Sequence, residues 1–462
     1  MKLLKHPDLA RRALLQRASL LGIAGAAAPW ALNLSLMADA AAAGASAADD
    51  YKALVCVFLL GGSDYGNSLP PVDASNHAAY AGIRRDLAIP LADLQATALQ
   101  PVTPLPGGLQ HALAPGLAPL KAVWDAERLA VQLNIGPLVE PTTLAQYKAK
   151  SVLLPPKLFS HNDQQSIWQS SLPEGATSGW GGRVGDLMLS GNPGSAFTCI
   201  SLSGNAVYLS GRNALQYQVS SSGAVAINGI TRALNGSATA QQALRSLISA
   251  EHTGYFADDY SRVTRRSIDA EVQVTAALAG AGALGTVFGT DGLSRQMSMA
   301  ARLIGARAAL GVKRQVIFVS LGGFDLHDNL VENQPGLLAQ VAAAMKSFYD
   351  ATVELGVADK VTSFTASDFG RTYAINGDGS DHGWGSHHFV MGGAVKGRRF
   401  YGTAPQIALG GLDDVGQGRL LPSTSVDQLA ATLARWMGVS QTDLPLVVPG
   451  IGRFSNIDLA YF

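Results

Sequence analysis

Several features are scarce in this sequence of 462 residues, and each scarcity excludes a class of protein. Charged residues make up 15% of the chain, and the 34 basic and 34 acidic side chains cancel to a formal net charge of +0. No basic run is interleaved with aromatic residues, so nothing indicates nucleic acid or an anionic membrane surface as a partner. The 47% hydrophobic content is ordinary for a globular protein and is ample for a full core.

Cysteine is rarer still, with two residues in the whole chain. Cys56 in LVCVFLL and Cys199 in AFTCISL each lie in a short apolar run. An oxidising compartment would permit a disulfide between them. Burial as free thiols suits the apolar surroundings better, because unpaired cysteine is among the most buried residue types.

Long hydrophobic runs are missing after residue 48, where no apolar stretch reaches the roughly 18 residues needed to span a bilayer. The segment 1–48 contains the pair Arg11 and Arg12, an apolar stretch and small-residue cleavage candidates at 38–40. This pattern predicts a twin-arginine export signal, with a general secretory signal or an uncleaved anchor as the alternatives. We therefore expect residues 49–462 to form a single soluble domain, periplasmic or secreted, with no stable membrane span.

The sequence does contain a clear alternation of strands and helices. Short apolar runs predict buried strands at 51–62, 128–136, 313–323 and 360–367. Helical patterns lie at 116–126, 237–251, 256–282, 291–310, 334–356 and 425–438. This alternation predicts one α/β domain with a mostly parallel central sheet and helices on both faces.

Acidic residues follow three of these strands, at the edge where ligands bind in such sheets. Asp64 follows the first strand in GGSDYGN, and Asp368 follows the fourth. Asp325 and His327 follow the third in GGFDLHDN, two residues apart, so both would point to one side of an extended backbone. Each residue alone has an ordinary explanation as a turn or cap residue. Three such strand ends together predict a shared site.

Histidines are concentrated just beyond, in SDFGRTYAINGDGSDHGWGSHHFVMGG, where a glycine-punctuated loop is predicted to fold back. Two carboxylates about 4 Å apart repel by about 4 kcal/mol at an effective dielectric near 20, so converging acids need a compensating charge. Mixed oxygen and imidazole ligands favour zinc or manganese, as one or two ions. The predicted metal ligands are Asp64, Asp325, His327, Asp368, His382 and His387.

A candidate nucleophile lies in LFSHNDQQSIWQS. Ser160 precedes a helical pattern with Asp163 three residues on, a capping-box-like arrangement that alone would explain the serine. The same helix terminus offers unpaired N–H groups to phosphate or sulfate, and a hydroxyl beside a metal could ionise and attack. His161 could support the metal ligands from behind, and Thr142 and Thr143 are weaker nucleophile candidates.

The motifs GGSDYGN, SHNDQQSIWQ, GGFDLH, SDFGRT and DHGWGSHHFVMGG together resemble the signatures of the DUF1501 family. TSVDQLAATLARWMGV also matches, so the resemblance covers about residues 50–462. Members are exported bacterial proteins, usually with a twin-arginine leader and mostly without an assigned activity. The family is similar to the alkaline-phosphatase/sulfatase-like superfamily, whose members share an α/β sheet and usually a two-metal site.

The resemblance implies a role for each site residue. Ser160 occupies the place of the nucleophile. The residues that resemble superfamily metal ligands are Asp64 on the nucleophile-side metal, Asp325 and His327 on the other metal, Asp368 on the next strand, and His382 or His387 as the late histidine. Two departures concern the ligands: the spacing is Asp-x-His where Asp-x-x-x-His is common, and Phe369 follows Asp368 where a histidine is expected. A third departure, the lack of Cys-x-Pro-x-Arg, argues against a formylglycine-type sulfatase.

The resulting hypothesis is an exported metal-dependent hydrolase that acts on a small anionic substrate, a phosphate or related ester. Arg371 would clamp an oxygen of that ester, with a purely structural arginine as the alternative. The alternative function is a non-catalytic periplasmic binding or secretion-associated protein that retains a structural metal.

Overall fold

The computed structural model describes residues 50–462. The predicted signal peptide at 1–48 lies outside the described residues, so it stays a prediction. Residues Lys52–Phe462 form one compact unit. Within the described part of the chain, no helix is both long and apolar enough to cross a membrane.

A ten-stranded sheet and a separate two-stranded hairpin account for the strands of residues 50–462. The strands are β1 (Lys52–Leu59), β2 (Leu129–Gly136), β3 (Cys199–Ser201), β4 (Tyr217–Ser220), β5 (Gly223–Ala224), β6 (Arg314–Leu321), β7 (Val361–Ser367), β8 (Arg371–Ile375), β9 (Ser380–His382), β10 (Ser386–Gly392), β11 (Arg399–Tyr401) and β12 (Thr424–Ser425). The order in the large sheet is β11-β2-β10-β7-β1-β6-β3-β4-β5, with β12 paired to β2, and β8 and β9 form the hairpin.

Helices surround this sheet. They are α1 (Ala74–Arg84), α2 (Leu91–Leu94), α3 (Pro119–Asp125), α4 (Leu144–Ala149), α5 (His161–Ser170), α6 (Trp180–Met188), α7 (Ala238–Ile248), α8 (Tyr255–Gly280), α9 (Gly292–Gly305), α10 (Leu330–Glu354), α11 (Val426–Met437) and α12 (Leu444–Val447). Each helical pattern read from the sequence corresponds to one of these helices. The predicted α/β fold with a mostly parallel sheet is confirmed.

The register of the central strands explains why the strand ends meet. β1 pairs in parallel with both β6 and β7, and Leu59 lies opposite Leu321 on one side and Ser367 on the other. All three strands are buried almost throughout, and β1 and β6 are mostly apolar, whereas β7 alternates apolar residues with buried Thr and Ser. Since they end level with one another, the segments that follow them emerge at the same edge of the sheet.

Two glycines after β1 allow this edge to be crowded. Gly61 has φ +117°, and a Cβ on it would lie 2.3 Å from the backbone nitrogen of Asp325. Gly62 has φ +87°, and its Cβ would lie 2.4 Å from a ring carbon of Phe369. A larger residue at either position would meet both backbone strain and a collision.

The histidine-rich segment differs from the loop that was predicted. His382 ends β9, and His387 and His388 lie inside β10, a fully buried strand that pairs antiparallel with both β2 and β7. The prediction of a loop is therefore wrong at these positions. Glycines and histidines read as loop residues, but in β10 the imidazoles are buried and bonded: His388 Nδ1, for example, lies 3.1 Å from Thr365 Oγ1.

Both cysteines are free thiols buried in the core, as the apolar surroundings predicted. Cys56 lies in β1 and Cys199 in β3. Burial raises the pKa of the Cys56 thiol well above its ordinary value and that of Cys199 to about 12. Neither sulfur is poised for ionisation near neutral pH.

Candidate metal centre

Three histidine side chains and one carboxylate converge beyond the level ends of β1, β6 and β7. His161 is the first residue of α5, Asp325 and His327 follow β6, and His382 ends β9. The Nε2 atom of His382 lies 3.1 Å from Nε2 of His161 and 2.9 Å from Nε2 of His327. The oxygens of Asp325 lie 3.4 Å, 3.1 Å and 3.2 Å from the Nε2 atoms of His161, His327 and His382 respectively.

The other ring nitrogen of each histidine faces a hydrogen-bond acceptor. Nδ1 of His161 lies 2.6 Å from Oδ2 of Asp368. Nδ1 of His382 lies 2.9 Å from the Phe159 carbonyl oxygen, and Nδ1 of His327 lies 3.3 Å from Oδ1 of Asp381. A carbonyl and ionised carboxylates only accept hydrogen bonds, so in neutral rings the proton resides on Nδ1.

This tautomer leaves the Nε2 lone pair of His382 facing those of His161 and His327, beside a carboxylate. Such an arrangement is repulsive unless a positive charge lies between the atoms. Ligand atoms about 2.0–2.1 Å from a tetrahedral ion are about 3.3–3.4 Å apart, close to the observed 2.9–3.4 Å separations. Among the described residues, His161, Asp325 and His382 offer ligand atoms all within 4.8 Å of one another, and these could hold a metal ion.

The centre is open to solvent on one side. The side chains of Asp325 and His327 are 44% and 40% exposed, whereas Asp368 behind His161 is 2% exposed. Structural zinc sites are closed by four protein ligands, and catalytic sites keep a position for water or substrate. The exposure is therefore of the kind that gives a small molecule access.

The electrostatics of the cluster follow from its contacts. The hydrogen bond with Asp368 raises the pKa of His161, while burial lowers the pKa of His382. Burial works against the ionisation of Asp325, but the hydrogen bond and charge of Arg371 outweigh it and lower the pKa of that carboxyl. Nη1 of Arg371 donates to Asp325 Oδ1 at 2.8 Å and to the Gly61 carbonyl at 3.0 Å.

Phe159 and Phe369 shape the centre without contributing a ligand atom. Phe159 has φ 71°, an unusual left-handed conformation for a bulky residue, and its carbonyl accepts the hydrogen bond of His382. The buried ring of Phe369 lies 4.8 Å from the ring of His161 and 4.7 Å from that of His382, centroid to centroid. Phe369, at the position where the family resemblance implied a histidine, therefore packs against both imidazoles.

Three of the six predicted ligands are placed in other surroundings: Asp64, His387 and Asp368, whose carboxylate bonds the Nδ1 side of His161. The carboxylate of Asp64 is 3% exposed and accepts hydrogen bonds from Arg84 Nη2 at 2.6 Å, Ser380 Oγ at 2.8 Å and the Asn67 backbone N–H at 3.0 Å. His387 accepts from the Asn134 backbone N–H at 3.0 Å, and burial lowers its pKa to about 3. Of the predicted ligands, the structure brings Asp325, His327 and His382 together around the centre.

Ser160 lies at the N-terminus of α5, next to His161, as its pattern predicted. Its side chain makes no capping bond to the helix backbone. Instead Oγ donates to Oδ2 of the buried Asp163 at 2.9 Å, and Lys157 Nζ lies 3.6 Å from the other oxygen of that carboxylate. The hydroxyl proton therefore already points at an acceptor.

Sequence reasoning gave His161 a supporting place, gave Asp381 no ligand role and did not include Arg419. His161 follows the Ser160 position directly and Asp381 directly precedes His382, so adjacency to predicted site residues was the available signal. Arg419 lies in a Pro/Gly-rich loop and carries no such signal. Its Nε donates to the carbonyl oxygen of His382 at 2.8 Å.

Comparison with known proteins supplies a family. The sequence profile described as "Protein of unknown function (DUF1501)" matches residues 51–453. The chain belongs to the DUF1501 family. No curated protein matches this DUF1501 chain in sequence.

Solved structures resemble the DUF1501 chain weakly. The crystal structure of Ps i-CgsB in complex with k-i-k-neocarrahexaose has 10% sequence identity and a TM-score of 0.33, over 86% of this chain and 74% of that one. The lipoteichoic acid synthase LtaP from Listeria monocytogenes has 9% identity and a TM-score of 0.33, over 86% of this chain and 76% of that one. Likeness at this level does not carry an activity across, so function has to be argued from the residues themselves.

Proposed function

We propose that this DUF1501 protein is an exported metal-dependent hydrolase of phosphate or related esters. The observation that carries the proposal is the convergence of three imidazole Nε2 atoms on Asp325, each imidazole having its Nδ1 beside an acceptor. Metal-bound histidines almost always donate their second N–H in this way. The open side of the cluster then makes a catalytic centre a better fit than a purely structural one.

The ion would be held by His161, Asp325 and His382, and the fourth position, which the half-exposed His327 borders, would take water or substrate. Two nitrogen donors with one oxygen donor suit zinc, with manganese as the alternative. A divalent ion there would polarise an ester oxygen as a Lewis acid. The ligand atoms form one cluster, which supports one ion per chain.

Ser160 is the proposed nucleophile. Asp163, whose Oδ2 lies 2.9 Å from Ser160 Oγ, would accept the hydroxyl proton as Oγ bonds to the phosphorus or sulfur of the ester and the bond to the alcohol oxygen breaks. The alcohol would leave with a proton, and water would then release the phosphoryl or sulfuryl group from Ser160. The first-turn N–H groups of α5 add a positive dipole end beside the reacting oxygen. The hydroxyl, its proton acceptor and a metal ligand are thus delivered by one short segment, 160–163.

The remaining predicted site residues support the centre in this proposal. Arg371 is fully buried and holds Asp325, so we assign it a positioning role instead of contact with substrate. Asp368 orients His161. Asp64 contacts the centre indirectly: Ser380 Oγ donates to Asp64 and accepts from Nε of Arg371, which in turn holds Asp325. The contacts of His387 favour a role in the core.

The direct test is hydrolysis of aryl phosphate and sulfate esters by zinc-loaded protein. We expect turnover that is lost on chelation and restored by zinc, and that falls by about 100-fold or more in Ser160→Ala while zinc content is unchanged. Thr142→Ala is the matched control, because it removes a hydroxyl outside the 160–163 segment. Unaltered turnover in Ser160→Ala would rule out Ser160 as the nucleophile. Turnover that does not depend on zinc would rule out a catalytic role for the metal.

A second function, a non-catalytic periplasmic binding or secretion-associated protein with a structural metal, is favoured by one observation. In residues 50–462 the acids Asp64 and Asp368 are engaged by protein partners, so the chain gathers one metal cluster where the resemblance implies two. Zinc that raises the melting temperature with no turnover of any ester would favour this function.

A further inference from the structure

Arg371, which the sequence analysis proposed as the residue that binds the substrate anion, makes all of its hydrogen bonds within the protein. Arg371 is 0% exposed. Its Nε and Nη2 donate to Ser380, and its Nη1 donates to Gly61 and Asp325. An incoming anion would find no open face of this guanidinium. A substrate anion therefore needs a different cation.

Arg419 is placed to supply it. Its Nε donates to the carbonyl oxygen of His382 at 2.8 Å, and its Nη1 to that of Gly416 at 3.3 Å. Its guanidinium carbon lies 4.9 Å above the ring of Phe159, the residue whose carbonyl orients His382. Within the described chain no carboxylate forms an ion pair with Arg419, and its Nη2 makes no hydrogen bond. The group is thus held in place beside the centre with its charge uncompensated.

The charge balance around the centre indicates what this cation would bind. Three carboxylates, Asp325, Asp368 and Asp381, contact the three imidazoles. A divalent ion and Arg371 would supply three positive charges in return. With Arg371 paired to Asp325, the cluster and its ion are neutral, and Arg419 adds one positive charge. Nearby, Lys157 is shared between Asp163 and Glu174, so it is already engaged by carboxylates of the protein and is not the free cation that a substrate anion needs.

We propose that Arg419 binds a non-bridging oxygen of the substrate and that the substrate is an ester with one negative charge. Phosphodiesters and sulfate monoesters carry one charge near neutral pH, whereas a phosphate monoester carries close to two. The second charge of a monoester would face the carboxylates of the cluster without a partner. This inference rests on the proposed function and narrows its substrate class.

The test measures binding separately from turnover. The protein used is zinc-loaded Ser160→Ala, which should bind an ester without hydrolysing it. It is titrated calorimetrically at pH 8 with bis(4-nitrophenyl) phosphate, 4-nitrophenyl sulfate and 4-nitrophenyl phosphate. The same titrations are made after adding Arg419→Gln or Arg419→Lys. Arg262→Gln is the control, since Arg262 pairs with Asp259 on the exposed surface of α8. Zinc content is measured for every protein.

We expect the two singly charged esters to bind about tenfold more tightly than the monoester, and Arg419→Gln to weaken them by about tenfold, the loss of one charge-assisted hydrogen bond. Arg419→Lys should lose less, and zinc content should not change. Equal binding by Arg419→Gln and its parent, tighter binding of the monoester, or no binding of any ester would overturn the inference. Turnover by the wild-type protein is assayed separately, so a failure at Arg419 is distinguishable from a failure of the hydrolase proposal.

Discussion

Nδ1 of His161 and Oδ2 of Asp368 lie 2.6 Å apart, which joins the first residue of α5 to the end of β7. The second oxygen of Asp368 accepts from Gln165 Nε2 at 3.2 Å, so both of its oxygens are bonded to the same helix. The carboxylate thereby sets the angle at which His161 presents Nε2 to Asp325 and His382. A buried acid, 2% exposed, acts on the centre through an imidazole.

Asp368→Asn should therefore weaken zinc binding without removing a ligand. We expect a loss of about 10- to 100-fold in affinity, as for other outer partners of metal-bound histidines. Competition with a chromophoric chelator measures it. Asp359→Asn, at an exposed acid before β7, is the matched control. Equal affinity in the two variants would contradict the orienting role.

Metal content should separate the two late histidines. His382→Ala should reduce bound zinc from about one ion per chain to well below one, because its Nε2 lies between those of His161 and His327. His387→Gln should keep its zinc, because His387 bonds to Asn134 in the core. Elemental analysis of the purified variants decides between them. If the wild type held two zinc ions and His387→Gln lost one of them, the result would contradict the single-ion centre and support a two-metal site.

Asp163→Asn should slow hydrolysis while leaving zinc bound. The amide cannot take the Ser160 proton, so we expect kcat to fall by about 10²- to 10⁴-fold, the usual contribution of a general base. The control is Lys157→Gln, which removes the cation on the other carboxylate oxygen and should cost far less. If kcat of Asp163→Asn were similar to that of Lys157→Gln, Asp163 would not be the group that accepts the Ser160 hydroxyl proton.

Stability should depend on pH through Asp427, a buried acid in the first turn of α11. Burial raises the pKa of this carboxyl from 3.8 to about 7. The folded state then binds the proton more tightly than the unfolded state, so the contribution is complete below about pH 4 and is lost as pH rises through about 7. Asp427→Asn should flatten this part of the curve, measured by urea unfolding from pH 4 to 8. An unchanged slope would contradict the raised pKa.

Gly62→Ala should damage both the fold and the centre. Its Cβ would enter the ring of Phe369, which supports His161 and His382, so we expect a loss of about 1–3 kcal/mol in the free energy of unfolding and weaker zinc binding. Gly236→Ala is the control: its φ is +80°, yet a Cβ there meets open space. If both variants lose equal stability and both keep zinc, the collision with Phe369 is unimportant.

The strand ends were predictable because their cause is local. An almost continuous apolar run indicates a strand buried on both faces, and parallel strands that end together place Asp325 near Asp368 without further information. Even the helix start at Ser160 follows from residue types near one another in sequence. These features required no knowledge of distant contacts.

The ligand roles were not predictable, because they depend on partners far away in the sequence. Asp64 is taken up by Arg84, a buried arginine on α1, and by Ser380 from β9. Whether His161 offers Nε2 to an ion depends on which nitrogen Asp368 engages, and residue types do not show this. His387 was assigned to a loop because a buried, histidine-bearing strand looks locally like a surface turn.

The separation of the ligands along the chain has a mechanical consequence. His161 lies 221 residues from His382, and His382 lies 55 residues from His327. An ion shared among them would tie three distant segments together much as a covalent cross-link does, in a protein whose two cysteines are both free. Loss of the ion would leave the start of α5 and the β8–β9 hairpin joined only by weaker contacts, such as the hydrogen bond from His382 Nδ1 to the Phe159 carbonyl.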